Sequence, residues 1–431
     1  QSYWQSRKYE PASFSLFVRS YPPNRGFFVS AGLQDVLEFL QSFAFEQEDI
    51  DYLRSTRMFA GDFLDFLKGL RFSGEVWAIP EGRLFFKDEP ILEITAPIIE
   101  AQIVETFVIN QINLQALIAT KAARCVHAAR GRAVVDFSLR RTHGIDAGMK
   151  VARSSYLAGC SGTSNVSAGK SYGIPIVGTM AHSFVTSFER EIDAFRSFVQ
   201  SFPDNSILLI DTYDTLAGAR KAVEIAREMA HKGQRLRGVR IDSGDLASLA
   251  KEVRRIFDDA GLADVKIIGS GGLDEYDLAR LADANAPYDS YGVGTRMGVS
   301  ADAPWFDMAY KLVEYDGRPV LKLSTGKASS PGRKQIFRFS DRQGRLLKDV
   351  IALRNEELAG AEPLLQKVME RGRMREPYPR LKEIRERLLD EINHLDEQTR
   401  AIRSPANYPI ELSPRLRGLK QEIEQQVAQT Q

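Results

Sequence analysis

The feature that most constrains the fold is a regular alternation of short apolar runs and helical stretches in the middle of the chain. The clearest β-branched runs lie at residues 133–135, 174–177, 207–210, 238–241 and 265–268, with helical patterns at 216–230 and 246–257 between them. Such alternation predicts a parallel sheet with right-handed crossovers. An open doubly wound sheet and a closed barrel both fit, and the number of repeats favours a barrel. We therefore predict an α/β fold, an irregular TIM-like α/β barrel.

The segments on either side of this region predict an additional α+β domain. Apolar residues at 33, 36, 37 and 40 predict a helix, the stretch 72–95 predicts short strands, and 98–129 predicts one long helix. Further strands are predicted at 309–314, 320–323 and 335–339, and the C-terminal part is predicted to be charged helix. The predicted domains are 1–125, an N-terminal α+β domain with a bridging helix; 126–305, the barrel; and 306–431, strands and helices packing on the other domains.

The charge balance and the cysteine count exclude several classes of function. The chain has 58 basic and 57 acidic side chains, which argues against a nucleic-acid or membrane-surface partner. Cys125 and Cys160 are the only cysteines, so a disulfide framework, a zinc finger and an iron–sulfur site are all disfavoured. A reducing, cytoplasmic location fits this usage. No apolar run is long enough for a transmembrane helix, and the numbering begins at Gln1 without an initiator methionine or a signal-peptide pattern.

Glycines follow two of the later predicted strands, where a barrel builds its active site. Ser270, Gly271 and Gly272 form one such loop, and Gly294 and Thr295 belong to the other. Glycines let backbone N–H groups approach a phosphate closely at a helix start, although tight strand–helix turns also need glycine. Taken together, the two loops favour phosphate binding. The segment 162–171 lacks Walker A spacing, and the glycines near 294 lack the dinucleotide-binding fingerprint.

Carboxylates and one histidine occupy other strand ends. We predict that Asp211 and Asp242 bind ribose hydroxyls or Mg²⁺, whereas Asp245 caps the next helix. His182 follows an apolar run among hydroxyls, and a functional role and a hydrogen-bonded structural role remain equally open for it.

Cationic residues near these strand ends suggest anion binding. Arg140 and Arg141 could hold a carboxylate while Phe137 stacks on a flat substrate, with a structural ion pair as the alternative. The basic segment 322–338 suits a small polyanion better than a nucleic acid.

With these segments assembled, the sequence resembles nicotinate phosphoribosyltransferase along nearly its whole length. The resemblance rests on many motifs in the right order, namely 14–19 with 31–33, 136–141, 162–165, 178–183, 240–245, 270–275 and 322–338. It implies a type II phosphoribosyltransferase, a homodimer with active sites near the subunit interface. The implied enzyme joins nicotinate to phosphoribosyl pyrophosphate in NAD synthesis, with ATP as co-substrate and Mg²⁺ as cofactor.

The same resemblance implies a role for each matching residue. His182 would be the histidine phosphorylated by ATP and, with Arg240 and Asp242, a catalytic residue. The residues implied to bind substrate are Phe137, Arg140, Ser164, Thr179 and Asp211, and those implied to hold phosphate are Ser270, Gly271, Gly272, Gly294 and Thr295.

Ser164 bears on the choice of base, because nicotinamide-using relatives have an aspartate in the matching motif that would repel a carboxylate. A nicotinamide-using enzyme and a non-catalytic ligand-binding protein on the same fold remain the alternatives. The family's aspartate–leucine–tyrosine motif, expected upstream of Tyr3 and Trp4, does not occur in residues 1–431.

Overall fold

The computed structural model describes residues 1–323 and 329–430, and the chain divides into two compact units. Unit 1 comprises Gln1–Leu117 with Trp305–Gln431, and unit 2 comprises Ile118–Pro304. Part of the basic segment 322–338, namely residues 324–328, lies outside the described residues.

The N-terminal part of the chain mixes short strands with helices. Its strands are β1 Pro11–Val18, β2 Phe28–Val29, β3 Glu75–Ala78, β4 Leu84–Phe85 and β5 Leu92–Pro97. Its helices are α1 Ser2–Gln5, α2 Leu33–Ser42, α3 Gln47–Ser55, α4 Gly61–Gly69, α5 Ile98–Ile103 and α6 Glu105–Ala128. The predicted helix at 33–40 is confirmed, with Leu33, Val36, Leu37 and Leu40 buried. The prediction of one helix over 98–129 is wrong, since α5 and α6 are separate helices that adjoin at Val104.

Unit 2 repeats a strand followed by one or two helices. Its strands are β6 Ala133–Asp136, β7 Gly162–Thr163, β8 Ile207–Leu209, β9 Gly238–Ile241, β10 Lys266–Gly269 and β11 Ser290–Val293. Its helices are α7 Ile145–Leu157, α8 Val166–Tyr172, α9 His182–Thr186, α10 Glu191–Ser201, α11 Thr215–Ala230, α12 Leu246–Asp259, α13 Glu275–Asp283 and α14 Thr295–Gly298. Short 3₁₀ turns lie at Leu139–Arg141 and Pro203–Asn205.

The C-terminal part returns to strands before its last helices. The strands are β12 Met308–Tyr315, β13 Arg318–Pro319, β14 Lys334–Ser340, β15 Leu346–Leu353, β16 Glu362–Pro363, β17 Gln366–Glu370, β18 Arg373–Met374 and β19 Ile410–Leu412. The helices are α15 Leu381–His394 and α16 Pro414–Thr430. The predicted strand at 320–323 is wrong, and the charged C-terminal helix is interrupted by an irregular stretch and β19. No helix in the described part of the chain has the length and apolarity needed to cross a membrane.

The sheet of unit 2 is parallel and has six strands in the order β7-β6-β11-β10-β9-β8. Val134, Leu208, Val239, Ile267 and Val293 are buried in it, as expected for a parallel sheet covered by helices. The predicted α/β class is therefore confirmed. No pairing among the described strands joins β7 to β8, so the closed barrel favoured by the sequence is not found. The predicted strand at 174–177 contributes only one bridge, from Ile176 to Thr163.

Aspartates start three of the helices that follow the strands of unit 2. Asp214, Asp245 and Asp274 are the N-cap residues of α11, α12 and α13, and each side chain accepts a hydrogen bond from a backbone N–H in the first turn. The prediction that Asp245 caps a helix is confirmed. Because these caps fix where each helix begins, they also fix the short loops that carry the polar strand-end residues.

Unit 1 is built on an antiparallel seven-stranded sheet in the order β13-β12-β1-β5-β3-β17-β18. A four-stranded sheet, β16-β14-β15-β19, and the β2-β4 pair complete its strands in the described residues. One apolar core includes Phe14 and Leu16 of β1, Ile94 of β5 and the inner face of α2.

A buried ionic cluster lies within unit 1. Arg338 donates to Asp349 at 2.6 Å and to Glu391 at 2.5 Å, and all three side chains are nearly inaccessible. Glu89 is fully buried beside them. Its Oε2 accepts the Phe86 N–H at 2.8 Å, whereas its Oε1 has no hydrogen-bond partner within residues 1–323 and 329–430. Burial, and then the charge of Asp349, raise the pKa of Glu89 well above its usual value.

Replacing Glu89 by glutamine is expected to stabilise the protein at alkaline pH. A carboxyl whose pKa is raised by folding resists ionisation in the folded state, so its contribution to stability falls as the pH rises above the unfolded-state pKa. Glutamine keeps the acceptor for Phe86 and stays neutral. We expect the thermal midpoint at pH 8 to rise by about 2–4 °C, with little change at pH 4. Exposed Glu357→Gln is the control, and a gain that is equal at both pH values would contradict this explanation.

Candidate active site

The guanidinium of Arg240, at the end of β9, joins side chains from three strand-end segments. Its Nε donates to Ser270 Oγ at 2.9 Å, its Nη2 donates to Asp242 Oδ1 at 3.0 Å, and its Nη1 donates to Thr179 Oγ1. Arg240 is only partly exposed, so these bonds form in a region of reduced solvent screening. The fork-shaped side chain thus brings together residues that are far apart in the sequence.

Asp242 is held in its ionised form by this arrangement. Ser270 Oγ donates to Asp242 Oδ1 at 2.6 Å. Partial burial alone would raise the pKa of Asp242, but the hydrogen bonds from Ser270 and Arg240 and the nearby His182 outweigh it and lower that pKa. The carboxylate therefore stays charged at neutral pH and down into the acid range.

Asp211, at the end of β8, presents one oxygen without a partner. Its Oδ2 accepts the Asp242 N–H at 2.9 Å and the Ser243 hydroxyl at 2.6 Å. Its Oδ1 is buried and has no hydrogen-bond partner among the described residues. A buried carboxylate oxygen of this kind is a ready acceptor for a hydroxyl, a metal-bound water or a cation. The described residues contain no cluster of three or more metal-ligating side chains, so any Mg²⁺ here would take most of its ligands from substrate and water.

His182 is the first residue of α9, and its ring lies beside Thr212, which follows β8, and Asp242, which follows β9. Its Nδ1 is 3.1 Å from Thr212 Oγ1, and its Nε2 is 3.9 Å from Asp242 Oδ2. The side chain is 44% exposed. Thr212 therefore fixes the ring orientation through one nitrogen while the other nitrogen faces the carboxylate and remains accessible.

Phe137 follows β6 and supplies an aromatic surface at the same edge of the sheet. Its ring centroid is 5.9 Å from the Arg240 guanidinium carbon. A Cβ on Gly292 would lie 2.4 Å from the Phe137 ring, so glycine is required there for the ring to pack against β11. A flat ligand ring and its substituents would meet both an aromatic face and a cation at this point.

The glycine loop after β10 packs directly against the end of β9. Gly271 has φ +101°, and a Cβ there would lie 1.8 Å from the Asp242 carbonyl oxygen. Gly272 also has positive φ, but a Cβ there would meet no atom within 4 Å. The backbone of Gly272 therefore borders open space beside Ser270, which suits the close approach of an anion.

The loop after β11 belongs to the same edge of the sheet. A Cβ on Gly294 would lie 3.2 Å from the Phe137 carbonyl oxygen, and Thr295 Oγ1 accepts from Arg141 Nη1 at 3.2 Å. The structure therefore gives Arg141 a hydroxyl partner rather than an ion pair.

The structure brings most of the predicted site residues together but not all of them. Arg140 is exposed on the 3₁₀ turn after Phe137, with no hydrogen bond or ion pair to the described residues. The backbone N–H of Ser164 donates to the Asp136 carbonyl at 2.8 Å, and its side chain makes no hydrogen bond to the described residues. Both lie on loops that follow β6 and β7, beside rather than within the Arg240 network.

Models of a known protein family match almost the whole chain. The N-terminal domain of nicotinate phosphoribosyltransferase matches residues 1–113, the nicotinate phosphoribosyltransferase family matches 132–351, and the C-terminal domain of that enzyme matches 357–420. The chain belongs to the nicotinate phosphoribosyltransferase family. The resemblance drawn from the sequence motifs is therefore confirmed.

Individual relatives in the family are similar over most of their lengths. Nicotinate phosphoribosyltransferase pncB2 of Mycobacterium tuberculosis is 48% identical over 97% of this chain and 90% of its own length. The Bacillus subtilis nicotinate phosphoribosyltransferase is 35% identical over 96% of this chain and 90% of its own length. The crystal structure of human nicotinic acid phosphoribosyltransferase is similar with a TM-score of 0.88 and 30% identity, covering 98% of this chain and 97% of the human chain.

Sequence reasoning missed three side chains that hold the site of this family member in place. Thr212 bonds His182, Ser243 bonds Asp211, and Asp136 accepts from Ser138 and Thr163. Burial raises the pKa of Asp136, although hydrogen bonds from Ser138 and Thr163 oppose that rise. A hydroxyl residue directly after a strand-end aspartate, as at Thr212 and Ser243, is the signal that could have revealed the first two.

Proposed function

We propose that this chain transfers the phosphoribosyl group from phosphoribosyl pyrophosphate to nicotinate. The products would be nicotinate mononucleotide and pyrophosphate, for the salvage of nicotinate into NAD. The observation that carries the proposal is the network of Arg240, Asp242, Ser270 and Thr179 at one sheet edge, with His182 beside it, in a member of this family.

The aromatic and cationic groups fit nicotinate. We assign Phe137 to stacking on the pyridine ring and Arg240, with Thr179, to the groups next to it, because the guanidinium lies 5.9 Å from the ring centroid. Arg140 is exposed and uncommitted, so it is available for the nicotinate carboxylate. Asp211 and Asp242 would accept hydrogen bonds from the ribose hydroxyls.

The loops after β10 and β11 fit the phosphates. We assign Ser270, Gly271, Gly272, Gly294 and Thr295 to phosphate binding, because backbone amides and hydroxyls are concentrated there beside Arg240 and Arg141. The unpartnered Oδ1 of Asp211 and the ionised Asp242 fit a Mg²⁺ ion carried by the pyrophosphate. When bound, that ion would neutralise charge on the leaving pyrophosphate.

The chemistry needs charge stabilisation at two places. Nicotinate nitrogen forms a bond to the sugar C1 while the C1–pyrophosphate oxygen bond breaks, so positive charge develops on the sugar and negative charge on the leaving group. We assign the Asp242 carboxylate to the positive charge on the sugar, and the Arg240 cation with the loop amides to the negative charge on the leaving group. Because the Arg240 network already holds these groups in place, little reorganisation is needed during reaction.

ATP coupling is assigned to His182. One ring nitrogen would attack the terminal phosphorus of ATP and release ADP, forming a phosphohistidine that water later hydrolyses. Thr212 engages Nδ1, so we assign Nε2 as the nitrogen that receives the phosphoryl group. Asp242 lies 3.9 Å from Nε2, so phosphorylation of His182 would change the charge beside the carboxylate that we assign to the sugar.

The same family assignment extends to the assembly and the location. We propose that the open parallel sheet forms part of an incomplete TIM-like barrel, and that the enzyme is a homodimer with active sites near the subunit interface. Cys125 and Cys160 are both buried and form no disulfide in the described part of the chain, which supports a reducing compartment such as the cytoplasm.

The test is a direct assay of the full chain. Protein, nicotinate, phosphoribosyl pyrophosphate and Mg²⁺ are mixed with and without ATP, and pyrophosphate and mononucleotide are measured. We expect nicotinate to react, ATP to stimulate the reaction, and nicotinamide to react far more slowly. If neither product forms under any condition, the non-catalytic ligand-binding protein becomes the remaining explanation. If nicotinamide reacts faster than nicotinate, the chain is instead a nicotinamide-using phosphoribosyltransferase.

Replacing Ser164 by aspartate is expected to shift the choice of base. A negative charge beside the pyridine pocket repels the nicotinate carboxylate, so KM for nicotinate should rise by at least about tenfold while turnover of nicotinamide improves. Ser171→Asp, on the exposed end of α8, adds the same charge outside the site and should change neither value. Equal effects of the two substitutions on nicotinate would remove Ser164 from the site.

A further inference from the structure

A cavity lies within unit 1. Its volume is about 560 Å³, and it is lined by residues of β1, β12, β15, β19 and α16 and by the segment before β14. We propose that this cavity binds the phosphate group of a small organic phosphate. The proposal goes beyond the transferase reaction, because none of the residues assigned above lines this cavity.

Two buried hydroxyl groups at the cavity have no partner among the described residues. Ser15 is 0% exposed and Ser329 is 2% exposed, and both residues line the cavity. Within residues 1–323 and 329–430, neither Oγ has a hydrogen-bond partner. Native proteins satisfy nearly all buried polar atoms, so two orphaned hydroxyls at one cavity indicate that a polar ligand group completes them. Tyr21 adds a third hydroxyl, whose oxygen accepts the Lys87 N–H at 3.2 Å, so that its own hydrogen can be donated to a ligand.

Two lysines give the cavity a preference for an anion. Lys420 of α16 lines it, is half-buried, and has no ion-pair partner in the described part of the chain. Lys87 also lines it, and its Nζ is 3.6 Å from Asp88, a long contact that leaves its other hydrogens available. An ammonium group and hydroxyl donors together are a suitable donor set for phosphate oxygens.

The other charged groups at the cavity do not cancel this preference. The Nζ of Lys334 is already bonded to Glu93 and to two backbone carbonyls, so it is not counted as a ligand donor. Glu411 is occupied by Lys348 at 3.0 Å. Asp88 remains, but its side chain is 57% exposed and its carboxylate is 3.6 Å from Lys87 Nζ, so its charge is screened by water and by that lysine.

The walls of the cavity indicate that the phosphate carries an organic body. Phe17, Tyr21 and Tyr408 supply aromatic surface, and Val313 and Ile351 supply aliphatic surface. The volume falls in the range of sites for small molecules and cofactors, well above the size of a free phosphate ion. Three residues of the basic segment 322–338, which the sequence associated with a small polyanion, line this cavity, namely Ser329, Ser330 and Lys334, whereas Arg338 at its end belongs to the buried ionic cluster.

The experiment measures binding in the full chain by calorimetry, with uridine 5′-monophosphate and inorganic phosphate as separate probes. The Arg240→Ala background weakens phosphate binding at the strand-end site, and only the part of the remaining binding that cavity substitutions remove is assigned to the cavity. We expect that background to bind the nucleotide, and expect Ser15→Ala with Lys420→Gln to raise Kd at least tenfold. Lys420→Gln alone, on the surface of α16, should give a smaller rise and guards against misfolding of the double variant. Arg415→Gln on the same helix is the matched control.

The outcomes distinguish an organic phosphate from free phosphate as the ligand, and they test the cavity independently of the transferase proposal. Tighter binding of the nucleotide than of inorganic phosphate supports an organic phosphate, whereas equal binding assigns the site to free phosphate. No binding in the Arg240→Ala background, or a Kd unaffected by Ser15→Ala with Lys420→Gln, would overturn the proposal. Because the titration needs neither nicotinate nor turnover, loss of the transferase assignment would leave its result standing, and the reverse also holds.

Discussion

Replacing Arg240 by alanine is expected to lower kcat/KM for the nicotinate reaction by about 10³-fold, or about 4 kcal/mol of transition-state stabilisation. The guanidinium bonds Ser270, Asp242 and Thr179, so its removal takes away a cation and also releases three neighbouring side chains. Steady-state kinetics with varied phosphoribosyl pyrophosphate and nicotinate would measure the loss. We expect kcat to fall along with the rise in KM, because the charge acts on the leaving group as well as on the bound substrate.

Two controls separate this effect from a general loss of folding. Arg240→Lys keeps the positive charge but loses the planar set of N–H donors, and we expect kcat/KM to fall less, by about 10- to 100-fold. Arg237→Ala removes an exposed arginine at the start side of the same strand and should leave kcat/KM within about twofold. If the alanine substitutions at positions 237 and 240 have equal effects, Arg240 has no special role in the reaction.

Replacing His182 by alanine is expected to abolish the stimulation of the reaction by ATP and the incorporation of phosphate from ATP into the protein. The side chain is the only imidazole in the network, and its Nε2 faces Asp242 at 3.9 Å. Basal formation of pyrophosphate without ATP should survive, because Arg240, Ser270 and the glycine loops do not depend on the histidine. Labelling with γ-phosphate-labelled ATP and the ratio of rates with and without ATP measure the two effects.

The neighbouring threonine supplies a graded control. Thr212→Val removes the bond to Nδ1 and should reduce phosphate incorporation about tenfold, whereas Thr212→Ser keeps the hydroxyl and should restore most of it. His231→Ala, at the C-terminal end of α11, should leave ATP stimulation intact. An undiminished response to ATP in His182→Ala would rule out the phosphohistidine.

The sequence predicts the site well because its geometry follows from local rules. Each strand of unit 2 ends in polar residues, and parallel strands bring their carboxyl ends to one edge. His182, Asp242 and Arg240 therefore converge as expected. The sequence also predicts that the loop after β10 needs glycine. Gly271 confirms this, because its positive φ and its close approach to the Asp242 carbonyl both exclude a side chain.

The sequence fails where long-range pairing decides the outcome. Residues 174–177 have strand-like composition, but Pro175 has no N–H to donate and only Ile176 forms a bridge. Residues 395–409 break the charged C-terminal helix, where Pro405 and Pro409 cannot continue it. Barrel closure also depends on which edge strands meet, and no local pattern encodes that.

The Arg240 fork has a thermodynamic consequence for ligand recognition. Every nitrogen of its guanidinium already donates to a protein oxygen, namely Ser270, Asp242 or Thr179. A guanidinium has five N–H groups, so these three bonds leave one N–H on each terminal nitrogen for an incoming anion. An anion that uses those two donors adds bonds while the network stays intact, whereas an anion that takes the donor of Ser270, Asp242 or Thr179 only exchanges one bond for another. Heats of association measured by titration should therefore be larger for a ligand that reaches the two remaining donors than for one that displaces a network hydroxyl.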